Sequence, residues 1–189
     1  MEKTSRTFLA VKIIPESKFL KIYSLVKNVL EGEVIKWIDQ NNFHLTLRFL
    51  GETNQIQTEK VKQTLENIAV RFNSFDFCLK GIGYFKSRGN PKVLFLKIEK
   101  SQVLKQIADE LNQQAVKLGY EEETREFKPH LTLGRIKFIK DKNKFYSLVK
   151  KFEETKIQRV NVSEIIFYQS ILKPSGAIYR PIKTVQLNP

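Results

Sequence analysis

Both histidines of this 189-residue chain head the same tetrapeptide. His44-Leu45-Thr46-Leu47 is repeated as His130-Leu131-Thr132-Leu133, 86 residues further on. Given one histidine, composition supplies the next three residues about once in two thousand tries, so an internal duplication is the better explanation. The repeat restricts the fold because alternate residues of a strand share a face. His44 and Thr46 look one way and Leu45 and Leu47 the other, and the same holds for His130 and Thr132 against Leu131 and Leu133. The chain must therefore supply two equivalent strands, each with an apolar layer behind it and a polar pair in front.

The flanking pattern supplies those layers. A strand is expected over 8–14, stopped by Pro15. Residues 16–31 carry Phe19, Ile22, Tyr23, Val26, Val29 and Leu30 at helical spacing before Gly32. Residues 43–50 alternate as a strand closed by Gly51, and a second helix fits 55–71. Strands are expected over 75–85 and 93–98, then a third helix capped by Ser101 and ended by Gly119. A strand over 131–139, a short helix capped by Asp141, and strands over 160–172 and 177–187 complete the order, the last two joined by a turn at Pro174-Ser175-Gly176. Hairpins mixed with helices predict an α+β fold with mainly antiparallel sheets. No linker rich in Pro, Gly or Ser divides the chain. The expectation is one domain over 1–189, made of two pseudo-symmetric lobes with flanking helices and an active-site groove between them.

Charge narrows the partners. Lys and Arg number 33 against 20 Asp and Glu, and the net +13 is spread along the chain rather than gathered in a tail. A folded domain with a positive field selects polyanions, nucleic acid or phosphate foremost. The single Cys78 excludes an internal disulfide, suits a reducing compartment and, in its apolar run, reads as a buried packing residue. The start, Met1-Glu2-Lys3, lacks the apolar run of a signal peptide, and no uncharged stretch approaches the roughly 18 residues of a membrane span. A cytoplasmic protein without membrane attachment is expected.

Two imidazoles in a shared groove suit in-line attack on phosphorus. A neutral histidine takes a proton from water and a protonated one gives a proton to the leaving oxygen. An ordinary pKa of about 6.5 lets both forms exist near neutral pH. The hydroxyls of Thr46 and Thr132 could donate to nonbridging phosphate oxygens. Two histidines could also hold zinc, but no third ligand is evident: the chain has no further His, Cys78 is distant in sequence, and no HExxH or paired-Cys spacing occurs. No metal and no other cofactor is expected. Alternation favours Arg48, two residues past Thr46, as a further phosphate ligand. It places Arg135 on the leucine side unless a bulge at Gly134 turns it round. Phe49 shares parity with Leu47, which points to the core.

With these residues the chain resembles the two-histidine phosphoesterase superfamily, and within it the LigT-like RNA 2′,3′-cyclic phosphodiesterases, the 2′-5′ RNA ligase family. The likeness runs over nearly the full length. It includes Phe8-Leu9-Ala10-Val11, both tetrapeptides, Phe49-Leu50-Gly51-Glu52, Gly81-Ile82-Gly83-Tyr84-Phe85, Phe127-Lys128-Pro129 and Lys173-Pro174-Ser175-Gly176. Phe95 departs from it, since relatives often carry Trp there. The resemblance implies a bilobal α+β fold and metal-free hydrolysis of an RNA terminal 2′,3′-cyclic phosphate to a 2′-phosphate. In that scheme His130 is the base and His44 the acid, Arg135 contacts phosphate, and Phe49 stacks on a base. The expected partners are RNA ends, tRNA-derived ones among them, or small cyclic nucleotides, met by a monomer. Two other readings remain open at the level of sequence. One is 2′-5′ ligation of a cyclic phosphate to a 5′-hydroxyl, and the other is a basic RNA-binding module without catalysis.

Overall fold

The computed structural model describes residues 4–99, 101–174 and 176–189. The Met1-Glu2-Lys3 start and Ser175, the middle of the expected turn, lie outside the described residues. The chain runs β1 (Ser5–Lys12), α1 (Ser17–Val29), β2 (Val34–Trp37), β3 (His44–Thr53), α2 (Gln55–Ala69), β4 (Phe75–Ser87), β5 (Asn90–Ile98) and α3 (Gln102–Lys117). It continues through β6 (His130–Phe138), α4 (Lys142–Lys151), β7 (Lys156–Val162), β8 (Glu164–Lys173) and β9 (Gly176–Gln186). The helix starts follow side-chain chemistry. Asn54 accepts from the Gln57 amide at 2.8 Å while the Gln57 side chain accepts from the Asn54 amide at 3.1 Å, a reciprocal cap. The expected caps are in place too: Ser101 accepts from the Leu104 amide and Asp141 from the Lys144 amide.

The strands form two antiparallel sheets, one ordered β3-β1-β8-β9 and the other β2-β6-β5-β4-β7. The two His-x-Thr strands hold matching places, with β3 beside β1 in one sheet and β6 beside β5 in the other. The lobes are interleaved rather than successive. Helix α1 packs against β7 of the second sheet, and α3 packs against β3 of the first. Strand β4 comes from the first half but pairs in the second sheet, whereas β8 comes from the second half and pairs in the first. Helices α2 and α4 stay with the sheets of their own motifs.

The leucines of the repeat do what alternation requires. Leu45, Leu131 and Leu133 are fully buried, Leu47 nearly so, in one continuous core that takes residues from both sheets and all four helices. Each such side chain contributes roughly 1.5–3 kcal/mol by leaving water. A smaller cluster of Phe8, Ala10, Ile166, Tyr168 and Tyr179 lies on the opposite face of the first sheet.

Four local expectations are corrected. Strand β2 was not anticipated, because four half-exposed residues on a sheet edge carry little periodicity. The run 160–172 is two strands that part at Ser163 into different sheets. Gly51 does not close β3; at φ +78° it takes a backbone shape that side chains disfavour, and the strand runs on to Thr53. Cys78 is half-buried, not buried.

Candidate active site

His44 and His130 are the first residues of β3 and β6, and both rings are tethered in the same way. His44 Nδ1 lies 2.7 Å from the Asn42 carbonyl, and His130 Nδ1 lies 2.7 Å from the Lys128 carbonyl. A carbonyl only accepts, so Nδ1 carries the hydrogen in each ring. In the neutral form Nε2 is then left with a free lone pair. Aromatic rings hold both imidazoles from the sides. His44 sits between Phe8 and Tyr179 at 5.1 and 4.9 Å, and His130 between Phe85 and Phe95 at 4.8 and 5.3 Å. The threonines follow on the same faces, half-buried, and neither hydroxyl has a protein partner among the described residues.

Beyond the threonines both strands break step in the same way. Thr46 faces Ala10 and Arg48 faces Leu9, so Leu47 is an extra residue; Thr132 faces Phe95 and Gly134 faces Leu94, so Leu133 is its counterpart. A bulge reverses parity past that point. In β3 it turns Arg48 inward and Phe49 outward, and in β6 it turns Gly134 inward and Arg135 outward. Arg48 is accordingly 7% exposed, and its Nη2 donates to the Glu121 carbonyl. Its assignment as a phosphate ligand is thereby corrected: it faces the core side, not the groove. Phe49 is 45% exposed beneath the Arg6 guanidinium, 5.4 Å from the ring centre. A side chain at Gly134 would crowd β2, because a Cβ there would lie 2.7 Å from Ile35 and 3.1 Å from Trp37.

These strands border a cleft of about 630 Å³. His44, Thr46, Phe49 and Arg135 line it together with the cations Arg6, Lys36 and Lys173, whereas His130 and Thr132 stand outside its lining. Its one carboxylate among the described residues, Asp39, is engaged by the Asn41 amide at the start of a 3-10 turn. Arg135 has no carboxylate partner among the described residues. It acts on both histidines, which also sense burial. Desolvation pushes the His44 pKa below its ordinary value, and Arg135 and then His130 push it further; the Asn42 carbonyl opposes this. His130 is lowered by the same desolvation and by Arg135, against the Lys128 carbonyl. The free site is thus poor in protons and rich in fixed positive charge, an electrostatic complement to a phosphate anion.

Some participants carry no signal in the repeat. Asn42 holds His44 through its carbonyl and donates from its side chain to Ala177 of β9 at 3.0 Å. The only hint was the Asp39-Gln40-Asn41-Asn42 run, which favours turns. Lys36 and Trp37 enter the cleft wall on the unanticipated β2.

Comparison with known proteins bears on the whole chain. The AKAP7 2'5' RNA ligase-like domain matches residues 10–187. A Thermotoga maritima protein named RNA 2′,3′-cyclic phosphodiesterase is 33% identical over 184 residues, covering 96% of this chain and 95% of that protein. A Methanocaldococcus jannaschii protein of the same name is 32% identical over 178 residues, covering 94% and 98%. The crystal structure of Escherichia coli LigT complexed with 3′-AMP superposes with a TM-score of 0.79 at 23% identity, covering 98% of this chain and 99% of that one.

Proposed function

The chain belongs to the LigT-like two-histidine phosphoesterases, and we propose that it hydrolyses terminal 2′,3′-cyclic phosphates of RNA to 2′-phosphates by paired histidine catalysis without a metal. The observation that carries this reading is the matched tether of the two imidazoles. His44 lines the cationic cleft, His130 stands on the neighbouring strand close enough to act on its charge, and each ring is fixed by the carbonyl two residues before it.

One Nε2 accepts a proton from water as the oxygen attacks phosphorus. The P–O3′ bond breaks, and the other imidazolium delivers its proton to O3′, leaving a 3′-hydroxyl and a 2′-phosphate. Thr46 and Thr132 donate to nonbridging oxygens, and Arg135 offsets the charge that builds on them. Phe49, with Arg6 above it, offers a face on which a base can stack. With His130 as base and His44 as acid, the bound phosphate has to return to His44 the proton that burial, Arg135 and His130 withhold in the free protein. Both proton transfers are assigned to the imidazoles, and turnover in the presence of chelator tests the metal-free part of the reading.

The decisive experiment follows an RNA oligonucleotide ending in a 2′,3′-cyclic phosphate. A 2′-phosphate is expected, in the presence of chelator. H44A and H130A should each slow turnover at least about a hundredfold. Replacing the 3′ bridging oxygen with sulfur, which leaves without a proton, should rescue H44A and not H130A. Near-normal rates in either alanine variant would sink the mechanism, and rescue of H130A instead would exchange the two roles.

A further inference from the structure

The chemistry of the groove is two-fold symmetric but its outer walls are not. Lys12 pairs across the sheet with His44, and Lys97 pairs across the sheet with His130. Beside Lys12, behind His44, is a small hollow of about 210 Å³ that also holds Glu164. Beside Lys97 is an open trough of about 570 Å³. It lies next to His130, with the rings Phe85 and Phe95 shared between them: they wall the trough and flank that imidazole. Cations reach it from three separate segments: Lys86 on β4, Lys97 on β5 and Lys128 just before β6. Among the described residues one carboxylate faces it, Glu153 just past α4, 3.5 Å from the Lys97 ammonium. Lys128 is also 3.5 Å from Glu126, a pair exposed to solvent on both sides and worth little there.

Phe95 is buried behind the half-buried Phe85, and an accessible aromatic ring beside several cations holds single-stranded nucleic acid without reading its sequence. Building on the cyclic phosphodiesterase reading, we infer that this trough binds the RNA strand on the 5′ side of the terminal nucleotide, so that the substrate is an oligonucleotide end rather than a free cyclic mononucleotide. The terminal phosphate lies between the histidines with its nucleoside in the larger cleft at Phe49. The preceding nucleotide then leaves past His130, with its phosphate among Lys86, Lys97 and Lys128. The His44 side offers less than half that volume and sets Glu164 beside its lysine.

The test is the double variant K86A/K97A, compared with the natural protein on two product ligands that need no turnover. These are a pentanucleotide ending in a 2′-phosphate and 2′-AMP. The affinity ratio of pentanucleotide to mononucleotide should fall at least about tenfold at low salt. The slope of log affinity against log salt for the pentanucleotide should shrink by about 0.7 for each lysine removed. An unchanged ratio overturns the inference, and so does an equal loss on both ligands, which would make the trough the terminal nucleoside's own site. A natural protein that binds both ligands but opens no cyclic phosphate would overturn the catalytic reading while leaving the binding comparison intact.

Discussion

At the scale of single residues, the tethered imidazoles make a directly measurable claim. Both are held below the ordinary 6.5 by burial first and by Arg135 after it. The ring proton resonances of His44 and His130 should therefore titrate below pH 6.5 in the free protein and move upward when inorganic phosphate is added. The same shift has a sign for stability. Well above pH 6.5 both folded and unfolded histidines are neutral and contribute nothing; as the pH falls through 6.5 the unfolded chain takes up protons first, so stability drops until the folded pKa is passed. H44Q should lose less stability than the natural protein between pH 6.5 and 5 in denaturant titrations. The two arginines should separate just as sharply. R135A should weaken phosphate binding roughly tenfold or more, the usual weight of a hydrogen bond to a charged group. R48M should leave phosphate binding alone and lower the melting temperature. Arg48 secures the segment that leads to His130, alongside the Tyr120 hydroxyl, which donates to Thr53 Oγ1 at 3.2 Å.

At the scale of elements, the site depends on how β2, β6 and their bulges fit together. Strand β2 lies on β6 only because Gly134 leaves room for Ile35 and Trp37. G134A should push β2 outward, with little effect on the rest of the sheet. Trp37 is the sole tryptophan, so its fluorescence reports the change directly. A red shift and a raised KM are expected together, because Lys36 and Trp37 wall the cleft. A raised KM with unaltered fluorescence would contradict this coupling. The bulges also explain why alternation placed Arg48 and Arg135 on the wrong faces past the threonines. One extra residue, Leu47 or Leu133, reverses the side chains just past it, until in β3 a second extra residue, Leu50, restores the parity, and bulged leucines look the same in sequence as paired ones.

At the scale of the molecule, the exchange of helices and strands ties the halves together. Strand β4 completes the sheet of the second motif and β8 that of the first, and each of α1 and α3 covers the other motif's sheet. Neither half can bury its own leucines, so a fragment of residues 1–89 should lack cooperative structure. The full chain should unfold in one transition, with far-UV circular dichroism and Trp37 fluorescence coinciding. Two separated transitions would mean that the lobes are independent units.

The sequence by itself determined the paired histidines, the leucines behind them, the α+β class, three helix caps or ends and the surplus of positive charge. Each of these is a local property, written as spacing, alternation or composition. Only the tertiary structure decided which arginine meets the cleft, that Asn42 holds His44, that β2 walls the site and that the halves interlock. Those outcomes depend on unpaired residues in a ladder and on contacts between segments far apart in the chain. No repeat or periodicity encodes them, because they arise from how two sheets share one core.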